Sequence, residues 1–244
     1  MSVIIELNNV SFSAQQGIVV NDISMMFKRN KTTAIVGPSG GGKSTVLKLA
    51  AGLLVPNNGN VYYEGKSISH MNRGENGDFR RNCSFVFQDS ALWANMDLFS
   101  ILELPLKIHF PSMTAKERKS RINAVTEKVG YKKKLTVRPA YLSMGEQKLI
   151  AFARALLCEP KLMFLDEWTE SLDENAADRL INIVRSKQRE GCTFLFISHD
   201  MRLIIDLADY VAVIIDGKVS AMAPKEEIIS DLLLNDFIKI GIAS

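Results

Sequence analysis

The segment Thr33-Ala-Ile-Val36 runs straight into Gly37-Pro-Ser-Gly-Gly-Gly-Lys-Ser-Thr45. An apolar strand, a glycine-rich loop and a helix over Ser44–Ala51, ended by Gly52, form the order that a phosphate-binding loop requires. The motif G-x-x-x-x-G-K-[ST] is complete across Gly37, Pro38, Ser39, Gly40, Gly41, Gly42, Lys43, Ser44 and Thr45. Its glycines let backbone N–H groups face an anion without side-chain obstruction. The helix behind them aims the positive end of its dipole at the same anion. Lys43 supplies a point charge for the β and γ phosphates, and the Ser44 hydroxyl can sit on Mg²⁺.

Such a loop needs a carboxylate to position the metal. The apolar run Leu162–Leu165 leads into Asp166 and Glu167, which places both acids at the C-terminal edge of a sheet, where α/β sites lie. Asp166 would hold Mg²⁺ through its water shell, and Glu167 would polarise the attacking water as general base.

Around these two strands the pattern predicts strands at Val3–Leu7, Val19–Phe27, Val61–Tyr63 and Thr193–Ile197, with a turn at Asn57-Asn-Gly59. Thr114 with Glu117, Ser143 with Glu146 and Ser171 with Glu174 read as capping boxes opening three helices. Tyr210–Ile215, Asp216-Gly217 and Lys218–Ala221 read as a hairpin with a type I′ turn. Apolar strands alternating with helices argue a parallel sheet core, interrupted by a helical insertion at about 89–159.

Composition narrows the classes. With 47% hydrophobic and 23% charged residues, wholesale disorder and coiled-coil bias are excluded. Thirty basic against 27 acidic residues leave a net charge of +3, too balanced to imply a nucleic-acid partner. Lys132, Lys133 and Lys134 form a short basic cluster, read as a solvated turn or as a phosphate or lipid contact. Cys83, Cys158 and Cys192 fit no disulfide framework or zinc spacing and are expected to be reduced. Neither a signal peptide nor a bilayer-spanning stretch is expected, so work at a membrane would need a separate anchor.

With these motifs in place, the chain from about Val3 to Glu227 resembles the ATP-hydrolysing subunit of an ABC transporter. Leu142-Ser-Met-Gly-Glu-Gln147 is similar to that family's L-S-G-G-Q signature. Read from its residues alone, it is a capped helix N-terminus, another anion site. The resemblance implies a P-loop NTPase of ABC type: a mixed, mainly parallel α/β core with an antiparallel β portion (1–88 and 160–222), a helical subdomain (89–159) and a C-terminal helical tail (223–244). It implies ATP and Mg²⁺ as cofactors, with Ser143, Gly145 and Glu146 gripping the γ-phosphate held by the opposite subunit of a homodimer. It also implies that Gln88 contacts Mg²⁺ and senses the membrane partner, that Ser171-Leu-Asp173 crosses the dimer interface, and that His199 contacts the γ-phosphate and the attacking water.

Four positions depart from the family pattern. Ala14 stands where an aromatic stacks on adenine, and Met144 replaces a glycine of the signature. Glu146 replaces a glutamine, favouring the helix but threatening to repel the phosphate, and Trp168 replaces a proline. Slow hydrolysis is the expectation. Around and after Gln88, Phe87-Gln-Asp-Ser-Ala-Leu-Trp93, then Met96-Asp-Leu-Phe99 and Leu104-Pro-Leu106, look like ATPases of the Mla/MCE type, which move lipids between the membranes of diderm bacteria. The implied partners are a membrane permease and an MCE-domain lipid-binding protein, and the implied location is the cytoplasmic face of the inner membrane. Ala91, Leu92, Trp93, Met96 and Phe99 suit either permease docking or the core of the insertion. Cargo other than lipid, such as an amino acid or a lipoprotein, and a slow regulatory nucleotide-binding module stay open.

Overall fold

A computed structural model describes residues 2–15 and 17–228. The chain begins with β1 (Val3–Ala14), β2 (Gly17–Lys28), β3 (Thr32–Val36), α1 (Lys43–Ala50), β4 (Asn58–Tyr63) and β5 (Lys66–Ser67). It continues with α2 (Arg73–Asn82), β6 (Cys83–Val86), α3 (Leu98–His109), α4 (Ala115–Val129) and α5 (Met144–Leu156). The described part ends with β7 (Leu162–Asp166), α6 (Glu174–Arg189), β8 (Thr193–Ile197), α7 (Met201–Leu207), β9 (Tyr210–Ile215) and β10 (Lys218–Pro224).

Two sheets form. One is antiparallel, in the order β2-β1-β4-β5; the other has six strands in the order β10-β9-β3-β8-β7-β6. In the larger sheet β6, β7, β8, β3 and β9 run parallel, and β10 turns back on β9. Its central strands are apolar at every position, yet the two-residue pleat period still sorts them. Met163 and Leu165 face one core with Phe194 and Phe196, while Phe164 faces the other with Leu195 and Ile197. Helices α3 to α7 fill the first side; α1 and the antiparallel sheet fill the second.

Several boundaries differ from the sequence reading. β1 runs on to Ala14 and β10 to Pro224, because hydrogen bonding along β2 and β9 continues past the apolar runs. Asn57-Asn-Gly59 is not a turn closed before a strand. β4 already starts at Asn58, and Gly59 (φ 79°) passes so close to β1 that an added Cβ would lie 2.2 Å from the Asn9 carbonyl. Ser171 does not open α6. Asp173 caps that helix by accepting from the Ala176 N–H at 2.8 Å, while Ser171 takes a left-handed φ of 67° in the approach. Helix α2 is absent from the sequence reading although Asn72 and Glu75 form a capping box; its apolar content is too low for periodicity to register. The boxes at Thr114 and Ser143 form as expected. The hairpin turn at Asp216 (φ 47°) and Gly217 (φ 71°) carries the two positive φ angles of a type I′ turn. The three cysteines are free. Residues 225–228 are helical, and the rest of the expected tail lies outside the described residues. Among the described residues, no helix is long and apolar enough to cross a membrane.

Candidate active site

Parallel register brings the sequence motifs together. Ile35 of β3 pairs with Ile197 of β8, which pairs with Asp166 of β7, and Leu165 pairs with Val86 of β6. The segments that follow, beginning at Gly37, Glu167, Ser198 and Phe87, therefore all leave the same C-terminal sheet edge. Those segments carry Lys43 and Ser44, Glu167, His199 and Gln88.

The phosphate loop is held from below. At Gly37 (φ 145°) an added Cβ would lie 1.9 Å from the Ile214 carbonyl oxygen, so only glycine fits against β9. The Gly217 N–H donates to the Gly41 carbonyl at 3.0 Å, which braces the loop with the hairpin turn. Gly42 caps α1 in a left-handed conformation (φ 95°) and offers no side chain, so the first N–H groups of α1 face the loop's hollow. Lys43 is buried, and its ammonium donates to the Gly37 and Pro38 carbonyls, both at 2.9 Å. Burial pulls its pKa below the ordinary lysine range, against the opposing pull of Glu167 and Asp166. A backbone cradle with no room for a Cβ at Gly37 or Gly42 and a buried cation folded onto it fit an oligophosphate.

Above the loop, the Ser44 hydroxyl donates to Asp166 Oδ1 at 3.1 Å. A hydroxyl and a carboxylate in contact, with the Gln88 amide in the same cleft, form an all-oxygen donor set that suits Mg²⁺. Burial raises the Asp166 pKa; the Ser44 hydrogen bond opposes that shift. Glu167 Oε1 lies 3.2 Å from His199 Nε2. Burial pushes the Glu167 carboxyl up, the nearby His199 works against it, and Asp166 adds to it. Glu167 itself sits at φ 43°, its N–H donating to the Ile197 carbonyl at 3.2 Å, so its conformation is set by β8. Gln88 donates to Glu170 at 3.2 Å rather than to the Ser44–Asp166 pair, although all four line one cleft of about 540 Å³.

The signature segment opens α5. Ser143 Oγ accepts from the Glu146 N–H at 3.2 Å, and Glu146 Oε2 accepts from the Ser143 N–H at 3.0 Å. Lys133 Nζ closes on Glu146 Oε1 at 2.6 Å and holds the carboxyl below its ordinary pKa. Glu146 thus enters the site as half of an ion pair and not as a bare negative charge, and one lysine of the 132–134 cluster is its partner. Gly145 is tightly confined: an added Cβ would meet the Ser171 carbonyl oxygen at 2.9 Å. Met144 is 72% exposed and lines the cleft, so its bulk costs nothing within the chain.

Other expectations divide. Trp168 is fully buried and stacks on Phe152 with ring centroids 5.6 Å apart, so the residue in the proline's place is a core residue. Ala14 is exposed at the end of β1, and Phe12 packs against the core as alternation implies. Leu92, Met96 and Phe99 pack partly buried on the core, whereas Ala91 and Trp93 are exposed. Sequence reasoning missed Lys148, which is 3% exposed and reaches the same cleft. A signal was present: Ala151, Phe152 and Ala155, three, four and seven residues on, mark its side of α5 as buried.

With this geometry the comparisons agree. The family described as ABC transporter matches residues 20–170. The chain belongs to the ABC transporter family. It is an ATP-binding cassette, the ATP-hydrolysing part of that family's machinery. The chain is 33% identical over 90% of its length to the uncharacterised ABC transporter ATP-binding protein YejF of Escherichia coli, but spans only 44% of that relative. It is 35% identical over 84% of its length to the nickel import ATP-binding protein NikE of Shigella flexneri, covering 78% of it. It is 29% identical over 97% of its length to the intermembrane phospholipid transport system ATP-binding protein MlaF of Haemophilus influenzae, covering 90% of it. The dimeric post-hydrolysis structure of the ATP-binding cassette MJ0796 with ADP and Pi superposes with a TM-score of 0.83 at 25% identity, over 91% of this chain and 98% of that one.

Proposed function

We propose that this cassette binds Mg-ATP at the sheet edge, closes as a head-to-tail homodimer and drives a separate membrane permease from its cytoplasmic face. The observation that carries the reading is the convergence of Ser44 on Asp166 (3.1 Å) and Glu167 on His199 (3.2 Å) beside one phosphate loop. In this scheme the loop from Gly37 to Thr45 cradles the phosphates. Lys43 releases its two loop carbonyls and turns to the β and γ oxygens. Ser44, Asp166 and Gln88 would hold Mg²⁺, which would supply positive charge against that developing on the phosphates. Glu167 orients and deprotonates the attacking water; its raised pKa makes it a better base than a surface carboxylate. His199 steadies Glu167 and the γ-phosphate. Ser143, Gly145 and Glu146 of the other subunit face that phosphate, with Lys133 neutralising Glu146. The 1–88 and 160–222 segments act as the nucleotide-binding core, and 89–159 as the helical subdomain that meets the permease.

The cargo reading is lipid, with an MCE-domain protein as a further partner. It is supported by the end-to-end alignment with MlaF, against the shorter alignment with NikE. Two measurements test the proposal. Steady-state turnover by the wild type must exceed that of Glu167→Gln at least tenfold; equal rates refute the hydrolytic mechanism. Affinity purification from gently solubilised membranes must bring down a small permease with an MCE-domain protein. A permease with a different substrate-binding protein refutes the lipid reading and keeps the ATPase.

A further inference from the structure

The turn after β6 is bound to α5 by two cations. Residues Ser90 (φ 63°) and Ala91 (φ 43°) are consecutive left-handed residues, neither of them glycine. Their carbonyls both accept from the Arg154 guanidinium, at 3.1 Å and 2.7 Å. Six residues earlier on α5, the Lys148 ammonium donates to the Gln88 carbonyl at 2.5 Å, with a longer contact of 3.5 Å to Phe87. The same ammonium donates to the Glu167 carbonyl at 3.2 Å. Lys148 therefore donates to the main chain of both Gln88 and Glu167. It is buried, and burial pulls its pKa below the ordinary lysine range against the opposing charges of Glu170, Asp166, Asp89 and Glu167. Buried cations usually pair with a carboxylate side chain. This one spends its donors on carbonyls, which fixes backbone and leaves the side chains of Gln88 and Glu167 able to turn.

At the outer end of the turn, the Arg154 guanidinium lies 5.6 Å from the ring of exposed Trp93. At the inner end of α5 are Ser143 and Met144, beside the cleft. Helix α5, which begins at the signature residues, thus reaches the exposed Trp93 through the Arg154 ring contact, and the 87–91 turn and the Glu167 backbone through side-chain donors on main-chain carbonyls.

We propose that Lys148 is a positioning residue for hydrolysis: with Arg154 it fastens the 87–91 turn and the Glu167 main chain to α5, so that displacement at Trp93 moves Gln88 and Glu167 as one unit. The proposal rests on the reading above that Gln88 and Glu167 act on ATP.

The test uses the full chain, in the complex purified from its own membranes. Lys148→Met removes every donor at similar length; Lys148→Arg keeps the charge and several donors. Expected for Lys148→Met is a kcat at least tenfold below wild type, with affinity for a fluorescent ATP analogue within twofold. Lys148→Arg recovers at least half of the wild-type kcat. Hydrogen exchange of the 87–91 amides accelerates at least tenfold in Lys148→Met. A Lys148→Met kcat within twofold of wild type overturns the proposal. So does a loss of affinity equal to the loss of turnover, which would make Lys148 a ligand-binding group. Arg performing no better than Met, or neither variant folding, assigns Lys148 to stability alone and equally overturns it. Glu167→Gln is run alongside. If wild type turns over no faster than that variant, the hydrolytic reading has failed, and the exchange rates of 87–91 still decide the clamp.

Discussion

Asp166 carries a carboxylate with 2% of its surface exposed, satisfied by one hydroxyl at 3.1 Å. Burial raises its folded pKa above the ordinary 3.8, so between the two values the folded state binds more protons than the unfolded chain. Its contribution to stability is therefore full below the unfolded value and is lost as pH rises from there through the raised folded value, so the buried charge costs stability at neutral pH. Asp166→Asn should raise the melting temperature of the nucleotide-free protein by about 2–4 °C, the shift expected of about 1 kcal/mol at this chain length. The same variant should lose the further rise that Mg-ATP gives the wild type. Differential scanning fluorimetry with and without Mg-ATP reads both, and a lower melting point in the free protein would contradict the argument. Gly145 and Met144 predict opposite behaviour at neighbouring positions. Gly145→Ala must push a Cβ against the Ser171 carbonyl and should cut turnover about tenfold or more, whereas Met144→Gly should keep or raise it. ATPase assays of the two variants side by side check this.

At the scale of elements, the β9–β10 turn does more than close a hairpin. Gly217 donates to Gly41 of the phosphate loop and accepts from Asn21 of β2, and a Cβ on it would lie 2.4 Å from the Val19 carbonyl. Gly217→Ala should therefore loosen the loop, raising KM for ATP at least fivefold with a smaller effect on kcat. An unchanged KM would remove the brace from the account. The packing of α5 on the segment that follows β7 rests on Trp168 and Phe152, both fully buried. Trp168→Ala should cost about 3–5 kcal/mol of unfolding free energy in urea, the usual range for emptying a large aromatic site.

At the scale of the whole molecule, exposure separates the residues available to partners from those that hold the fold. Trp93 is 48% exposed, while Leu92, Met96 and Phe99 pack on the core. Trp93→Asp should release the chain from its permease in a membrane pull-down, with nucleotide affinity and melting temperature near wild type. Loss of folding instead would place Trp93 with the core. The proposed dimer would use the signature residues at the start of α5, where Met144 is exposed. Glu167→Gln with Mg-ATP should elute at twice the monomer mass in light-scattering chromatography and at monomer mass without nucleotide.

The phosphate loop, the Asp166–Glu167 strand end, two of three capping boxes and the type I′ hairpin were legible in the residues alone, because each rests on local chemistry. Glycine permissiveness, helix capping and strand alternation act over a few residues, so a linear text records them. What tertiary structure decided is what depends on neighbours distant in sequence. Helix α2 escaped because charged residues obscure its period, and the third box failed because Asp173 lay nearer the helix. Glu146 reads as a repulsive charge until the fold brings Lys133 to it. Trp168 reads only as a departure from the family's proline until the fold stacks it on Phe152 in the core. Lys148 draws no notice in the sequence until packing brings the carbonyls of Gln88 and Glu167 to it. Local conformational preference is written residue by residue, whereas the environment that fixes charge, burial and reach exists only once distant segments meet.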